Sequence, residues 1–244
     1  MLSEKNWKPE ALLRLGLSVF ACIILGSVLI GLGHGGPDAA NEPSVGRLIL
    51  AVVSFQGAAL VLIWRFLREH QVTWSEAFGL RHERKRALVW GAVGVAIFLP
   101  VGWLLQSFSA VVLTRLHLDP VAQAAVEALR AMGHGPGLAA FVVLTVIVAP
   151  VAEEMLFRGI LYPAIKQAGF PRVAVWGTSG LFAAIHFNLT AFVPLFVLAL
   201  LLIWLYEKTD NLLATIAAHS LFNTANLALF FLADEFSQTL PTPT

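Results

Sequence analysis

The run VAVWGTSGLFAAIHFNLTAFVPLFVLALLLIWLY, residues 173–206, decides the fold, because it holds 34 consecutive positions without an Asp, Glu, Lys or Arg. An α-helix rises ~1.5 Å per residue and needs about 20 residues to cross a bilayer's hydrocarbon core. The run is therefore too long for one crossing and suits two short ones, with the break expected at Phe187-Asn188-Leu189-Thr190.

Outward from it lie further uncharged runs of 17 or more residues: Leu15–Pro37, Leu48–Trp64, Ala87–Thr114, Ala131–Ala152 and Asn211–Ala233. Apolar residues make up 58% of the 244, charged residues 13%, and mean hydropathy is +0.78. That composition excludes an ordinary soluble domain. The fold class it predicts is all-α, a polytopic membrane helix bundle with seven transmembrane helices. The short apolar piece Gly159–Ile165, interrupted by Pro163, is the candidate for an eighth element.

Lys and Arg resist translocation and collect on the cytoplasmic side, so loop charge tests this count. With the N-terminus inside, the cytoplasmic segments carry Lys5, Lys8, Arg14, Arg65, Arg68, Arg81, Arg84, Lys85, Arg86, Lys166, Arg172 and Lys208. The external segments carry Arg47, Arg115 and Arg130. Twelve against three favours seven spans with the C-terminus outside. The first uncharged run exceeds the 7–15-residue apolar core of a signal peptide and reads as an uncleaved anchor. Cys22, the single cysteine, reads as a packing residue.

A net charge of +1 offers nucleic acid no electrostatic footprint. The loop Arg65–Arg86, which contains Trp74 and Phe78, is expected to lie as a collar at headgroup level. The glycine-rich patches at 31–36 and 133–137 read as turns, and His34, His70, His82, His117 and His134 as surface residues.

Ionisable groups inside a span cost several kcal/mol (~2.5–3.5 on insertion scales) and so mark function by default. Three places qualify. If the helix that begins near Ala131 continues past Glu153 and Glu154 toward Ala168, both carboxylates are buried roughly 22 Å from its cytoplasmic end. Glu154 and Arg158 are four apart in the order that favours an ion pair, while Glu153 points elsewhere and is free to hold a water or a metal. His186 is expected about as deep as Glu153. His219 and Asn223, four apart and on one face, are expected roughly 13 Å deep, so tilt, a kink or a cleft must close the gap.

Glu-Glu-x-x-x-Arg at 153–158, Phe-x-x-x-His at 182–186 and His-x-x-x-Asn at 219–223, in this order on successive apolar segments, resemble the motifs of the CPBP family. This is the CAAX-protease and bacteriocin-processing family, formerly Abi, which includes the type II CAAX prenyl endopeptidases. The resemblance covers about residues 137–230. It implies an intramembrane endopeptidase of a prokaryotic cell membrane, with its site opening toward the cytoplasm and a membrane-associated or lipidated protein as substrate. Carried over to these positions, Glu153 activates water, and Glu154 with Arg158 holds its helix. His186 assists or binds the water or a metal, while His219 and Asn223 stabilise the oxyanion. Residues 1–130 then supply N-terminal transmembrane helices and the cytoplasmic loop, and 131–235 the catalytic core, within one integral membrane domain.

No cofactor is certain from the residues. A divalent metal such as zinc on Glu153, His186 and His219 stays open, although there is no His-Glu-x-x-His, and the balance leans to a glutamate-activated water. The rival of another class is a proton-coupled transporter using the same buried Glu, His and Arg as a relay. It predicts an internal repeat, and none is evident between the halves.

Overall fold

The computed structural model of the chain describes residues 7–32, 50–121, 126–127, 129–130 and 136–239. Among these there is no strand. The expected turns at 33–36 and 133–135, with His34 and His134, and the external Arg47 lie outside the described residues. The helices are α1 (Pro9–Leu32), α2 (Leu50–Glu69), α3 (Trp74–Ala77), α4 (Arg84–Arg115), α5 (Gly137–Gln167), α6 (Pro171–Ala184), α7 (Leu189–Thr209) and α8 (Leu213–Thr239). Of the described helices, α1, α2, α4, α5, α7 and α8 are long and apolar enough to cross a membrane. At 14 residues α6 is about 21 Å long, a short seventh element.

The 34-residue run does divide where its polar residues stand. Asn188 lies in extended backbone and accepts the Ala191 N–H at 2.8 Å, capping α7. Its amide also donates to the Val121 carbonyl at 2.9 Å. The piece Gly159–Ile165 is not a separate helix, because α5 runs through it without interruption. A π-helical turn, Met155–Leu161, shifts the hydrogen-bond register just before Pro163, and α-helix resumes at Tyr162.

α7 is the central post, buried along Leu195, Leu198, Leu202 and Tyr206, whereas α1 leaves Leu25, Leu29 and Leu32 exposed. Lipid is as apolar as leucine, so close packing rather than hydrophobicity must join such helices. Small residues provide it: a Cβ on Gly91 of α4 would stand 2.5 Å from the Ala214 carbonyl oxygen of α8.

The charged loops gather at one end. Arg14 pairs with Glu69, the Lys8 N–H donates to His70 Nε2 at 3.2 Å, and Tyr162 Oη donates to Glu207 at 2.8 Å, with Lys166 paired to the same carboxylate. The loop after α2 does not lie flat as a collar. It folds back, with Thr73 and Glu76 closing a capping box on α3, the Thr73 hydroxyl holding the Glu76 carboxyl below its usual range. Phe78 is fully buried against Gly159, whose added Cβ would stand 2.5 Å from the ring, and the Leu212 N–H donates to the Phe78 carbonyl at 3.0 Å. His70, expected at the surface, is half-buried between the rings of Trp7 and Phe66.

Because the Ala214 carbonyl is backbone and cannot swing aside, Gly91→Ala is expected to cost about 1–3 kcal/mol through overpacking. Thermal unfolding in detergent will read this as a lower Tm, while Gly16→Ala, with nothing within 4 Å of the new Cβ, does not lower Tm.

Candidate functional site

Three helices bring the charged residues together below the bundle's charged end. Glu153 and Glu154 close the α-helical turn Ala149–Glu154 of α5, and Arg158 sits in the π-turn that follows. Glu154 is wholly buried, and its Oε1 accepts from Arg158 Nη1 at 2.8 Å. Arg158 is also buried. Its guanidinium reaches the Ala199 carbonyl of α7 at 3.4 Å and lies 4.3 Å above the centre of the Phe182 ring from α6. Phe182 thus covers the face of a guanidinium whose edge is taken by Glu154 and the Ala199 carbonyl.

His219 comes from α8. Its Nδ1 stands 2.9 Å from Glu154 Oε1. A carboxylate paired with arginine is an acceptor, so Nδ1 carries the proton and donates. Nε2 then faces the other glutamate, 4.0 Å from Glu153 Oε2. One buried carboxylate therefore orients the imidazole, and the second stands across from its free nitrogen.

The depth mismatch expected for His219 disappears because α5 overshoots. Tyr162, not Gln167, is level with Glu207 near the end of α7. From Tyr162, Glu154 is eight residues or about 12 Å deep, in line with His219. His186 lies just past the end of α6, half-buried; its Nδ1 donates to the Phe182 carbonyl at 2.7 Å, leaving Nε2 without a partner among the described residues. It joins the cluster through Phe182, whose ring centre is 5.1 Å from that of His186 and 5.7 Å from that of His219. Asn223, one turn beyond His219, donates from Nδ2 to the Thr145 carbonyl at 2.9 Å. Thr145 lies in a further π-turn, Leu144–Val148. Among the described residues no three His, Cys, Asp or Glu side chains stand together at metal-holding distance.

Gln56 was not among the residues singled out in the sequence. It sits in the π-turn Val53–Gly57 of α2 and donates from Nε2 to Glu153 Oε1 at 3.3 Å. The signal was there to see, since it is the one amide side chain in the run Leu48–Trp64. A cavity of about 1200 Å³ adjoins the site between α1, α5 and α6, with apolar walls that include Phe20, Phe55, Phe157, Leu181 and Ile185. Phe55, Phe157 and Ile185 immediately precede Gln56, Arg158 and His186 in the chain.

Comparison with known proteins places this geometry in context. Residues 135–225 match the family model described as type II CAAX prenyl endopeptidase Rce1-like, a stretch that includes all six candidate site residues and leaves Gln56 outside. The chain is similar to the UPF0177 protein YxdF of Lactococcus lactis subsp. lactis, 31% identical over 96 residues, which are 39% of this chain and 52% of that protein. It is similar also to the uncharacterized protein YpbD of Bacillus subtilis, 36% identical over 80 residues, 31% of this chain and 38% of that protein. The match thus spans about half or less of these relatives. No solved structure matches significantly.

Removing Arg158 alone would leave the Glu154 charge buried without its counter-ion, a loss of about 3–5 kcal/mol. Thermal unfolding should show Arg158→Ala strongly destabilised, and Glu154→Leu combined with Arg158→Met recovering much of that loss.

Proposed function

We propose, from the premise that residues 135–225 are a type II CAAX prenyl endopeptidase Rce1-like domain, that this integral membrane protein is an intramembrane endopeptidase acting on a membrane-associated or lipidated protein. The observation that carries the reading is the facing of Glu153 Oε2 and His219 Nε2 at 4.0 Å, both residues buried. With its proton on Nδ1, His219 offers Nε2 as an acceptor, and the Glu153 carboxylate accepts as well. One water donating to both over ~2.8 Å subtends about 90°, a relaxed geometry. Its lone pairs then point away from both groups, toward a peptide carbonyl carbon. Glu153 takes the water's proton as the oxygen attacks, and returns it to the leaving nitrogen as the C–N bond breaks. Asn223 keeps a second Nδ2 hydrogen for the developing oxyanion, and His186 lines the approach through Nε2.

Glu154 and Arg158 act by holding: the pair fixes the His219 tautomer and ties α5 to α6, α7 and α8. The apolar cavity suits a prenyl or acyl chain or an apolar segment of the substrate. It runs to Trp7, Ala168 and Phe170 at the end bearing Lys8, Arg14 and Lys166. By the positive-inside rule that end, with the N-terminus, faces the cytoplasm of a bacterial cell, and the site opens there.

The test is purified protein in detergent with a farnesylated CAAX peptide and a panel of unprenylated membrane peptides. Wild type is expected to cleave at least one of them, Glu153→Gln none, and EDTA to leave the rate unchanged. Equal cleavage by wild type and Glu153→Gln sinks the reading, and loss of activity in EDTA with rescue by zinc replaces the glutamate-activated water by a metal. Asn223→Ala is expected to lower turnover by about 10²–10³-fold, the scale of one lost oxyanion donor. A proton-coupled transporter would instead show Glu153-dependent proton uptake in proteoliposomes and no cleavage.

A further inference from the structure

The geometry points to Gln56 as a positioning residue of the active site, whose amide N–H holds the Glu153 carboxylate in line with His219 and so makes α2 part of the catalytic apparatus. The inference rests on the endopeptidase reading for its catalytic consequence, though not for the contact itself.

The contact is asymmetric in a way that a merely structural glutamine would not be. Nε2 donates to Glu153 at 3.3 Å, while Oε1 is buried and has no hydrogen-bond partner among the described residues. A glutamine kept for helix association would satisfy both ends, since an unpaired buried carbonyl costs free energy. Here the donor end is placed and the acceptor end left bare. Glu153 needs that donor, because Arg158 and the His219 Nδ1 proton are both committed to Glu154. Without Gln56, none of the described hydrogen bonds fixes the plane of the Glu153 carboxylate, and Oε2 is free to turn from Nε2.

The backbone around Gln56 is built for the same end. Its π-turn, Val53–Gly57, places Phe55 on the wall of the apolar cavity and the next residue on Glu153. π-turns inside α-helices recur at functional sites because the register shift redirects a side chain. Gly26 of α1 has no room for a Cβ beside Ser54, so the turn is clamped from behind. The two residues before Gln56 thus have assigned contacts, Ser54 against α1 and Phe55 on the cavity wall, and these fix the backbone from which Gln56 reaches Glu153.

Two variants test this: Gln56→Leu removes donor and acceptor, and Gln56→Met removes both while keeping the unbranched length of the side chain. With the peptide that wild type cleaves and Glu153→Gln does not, both variants are expected to lose about 10- to 100-fold in kcat, with KM within about twofold. Infrared difference spectra between otherwise identical proteins with Glu153 and with Glu153→Gln isolate the Glu153 carboxylate band. That band is expected to move when Gln56→Leu is introduced. An unmoved band overturns the inference whether or not a substrate is known, and a moved band with unchanged kcat overturns the catalytic role. Equal cleavage by wild type and Glu153→Gln would sink the endopeptidase reading instead, leaving the band to decide whether Gln56 orients Glu153.

Discussion

The buried contact of Arg158 with Glu154 is the constraint on which the rest of this bundle depends. Neither charge is tolerable alone at that depth, and together they still need partners from the helices around them, although Glu154 Oε2 stays buried without a hydrogen bond among the described residues. Arg158 answers with the Ala199 carbonyl and the face of Phe182, and Glu154 with His219. Each of those partners belongs to a different helix. Satisfying one ion pair therefore specifies how α5, α6, α7 and α8 meet, which lipid-facing leucines cannot do because they prefer a neighbouring helix to lipid only weakly.

The same network divides the labour between two adjacent glutamates. Glu154 takes the Arg158 cation and the His219 N–H on one oxygen, whereas among the described residues Glu153 meets the Gln56 amide and the far nitrogen of His219. Position along the helix explains it: neighbours in sequence are turned about 100° apart, so one looks into the bundle and the other toward α2. The three π-turns among the described residues serve this division. They hold Gln56, the Thr145 carbonyl that receives Asn223, and Arg158 itself. In two of these turns a wall residue directly precedes a site residue, Phe55 before Gln56 and Phe157 before Arg158, so a chain lying in the apolar cavity would press directly on the segments that aim those polar groups.

Much of this was legible in the sequence for a simple reason. In a chain with 13% charged residues, a charge inside an apolar run cannot be incidental, so Glu153, Glu154 and Arg158 announced themselves, and the i to i+4 spacing foretold their pairing. Gln56 escaped because a neutral amide is a common guest in a span and carries no motif. The depth of Glu153 and Glu154 was misjudged from helix ends, since nothing in the residues says that α5 runs past the level of Glu207 before stopping. The collar expected around Trp74 and Phe78 failed for a related reason: an aromatic residue at headgroup level and one folded back on Gly159 have the same composition.

The sequence by itself determined the solvent, the helical class, the break at Asn188 and the inventory of polar groups, because each follows from length, hydropathy and local capping. Only the tertiary structure decided which partner each group received. It gave His219 Nδ1 to Glu154 and Nε2 to Glu153, and brought α2 to the site through Gln56. Those outcomes depend on helix tilt, overshoot and π-turns, which arise from packing between segments far apart in the chain and leave no trace in any one of them.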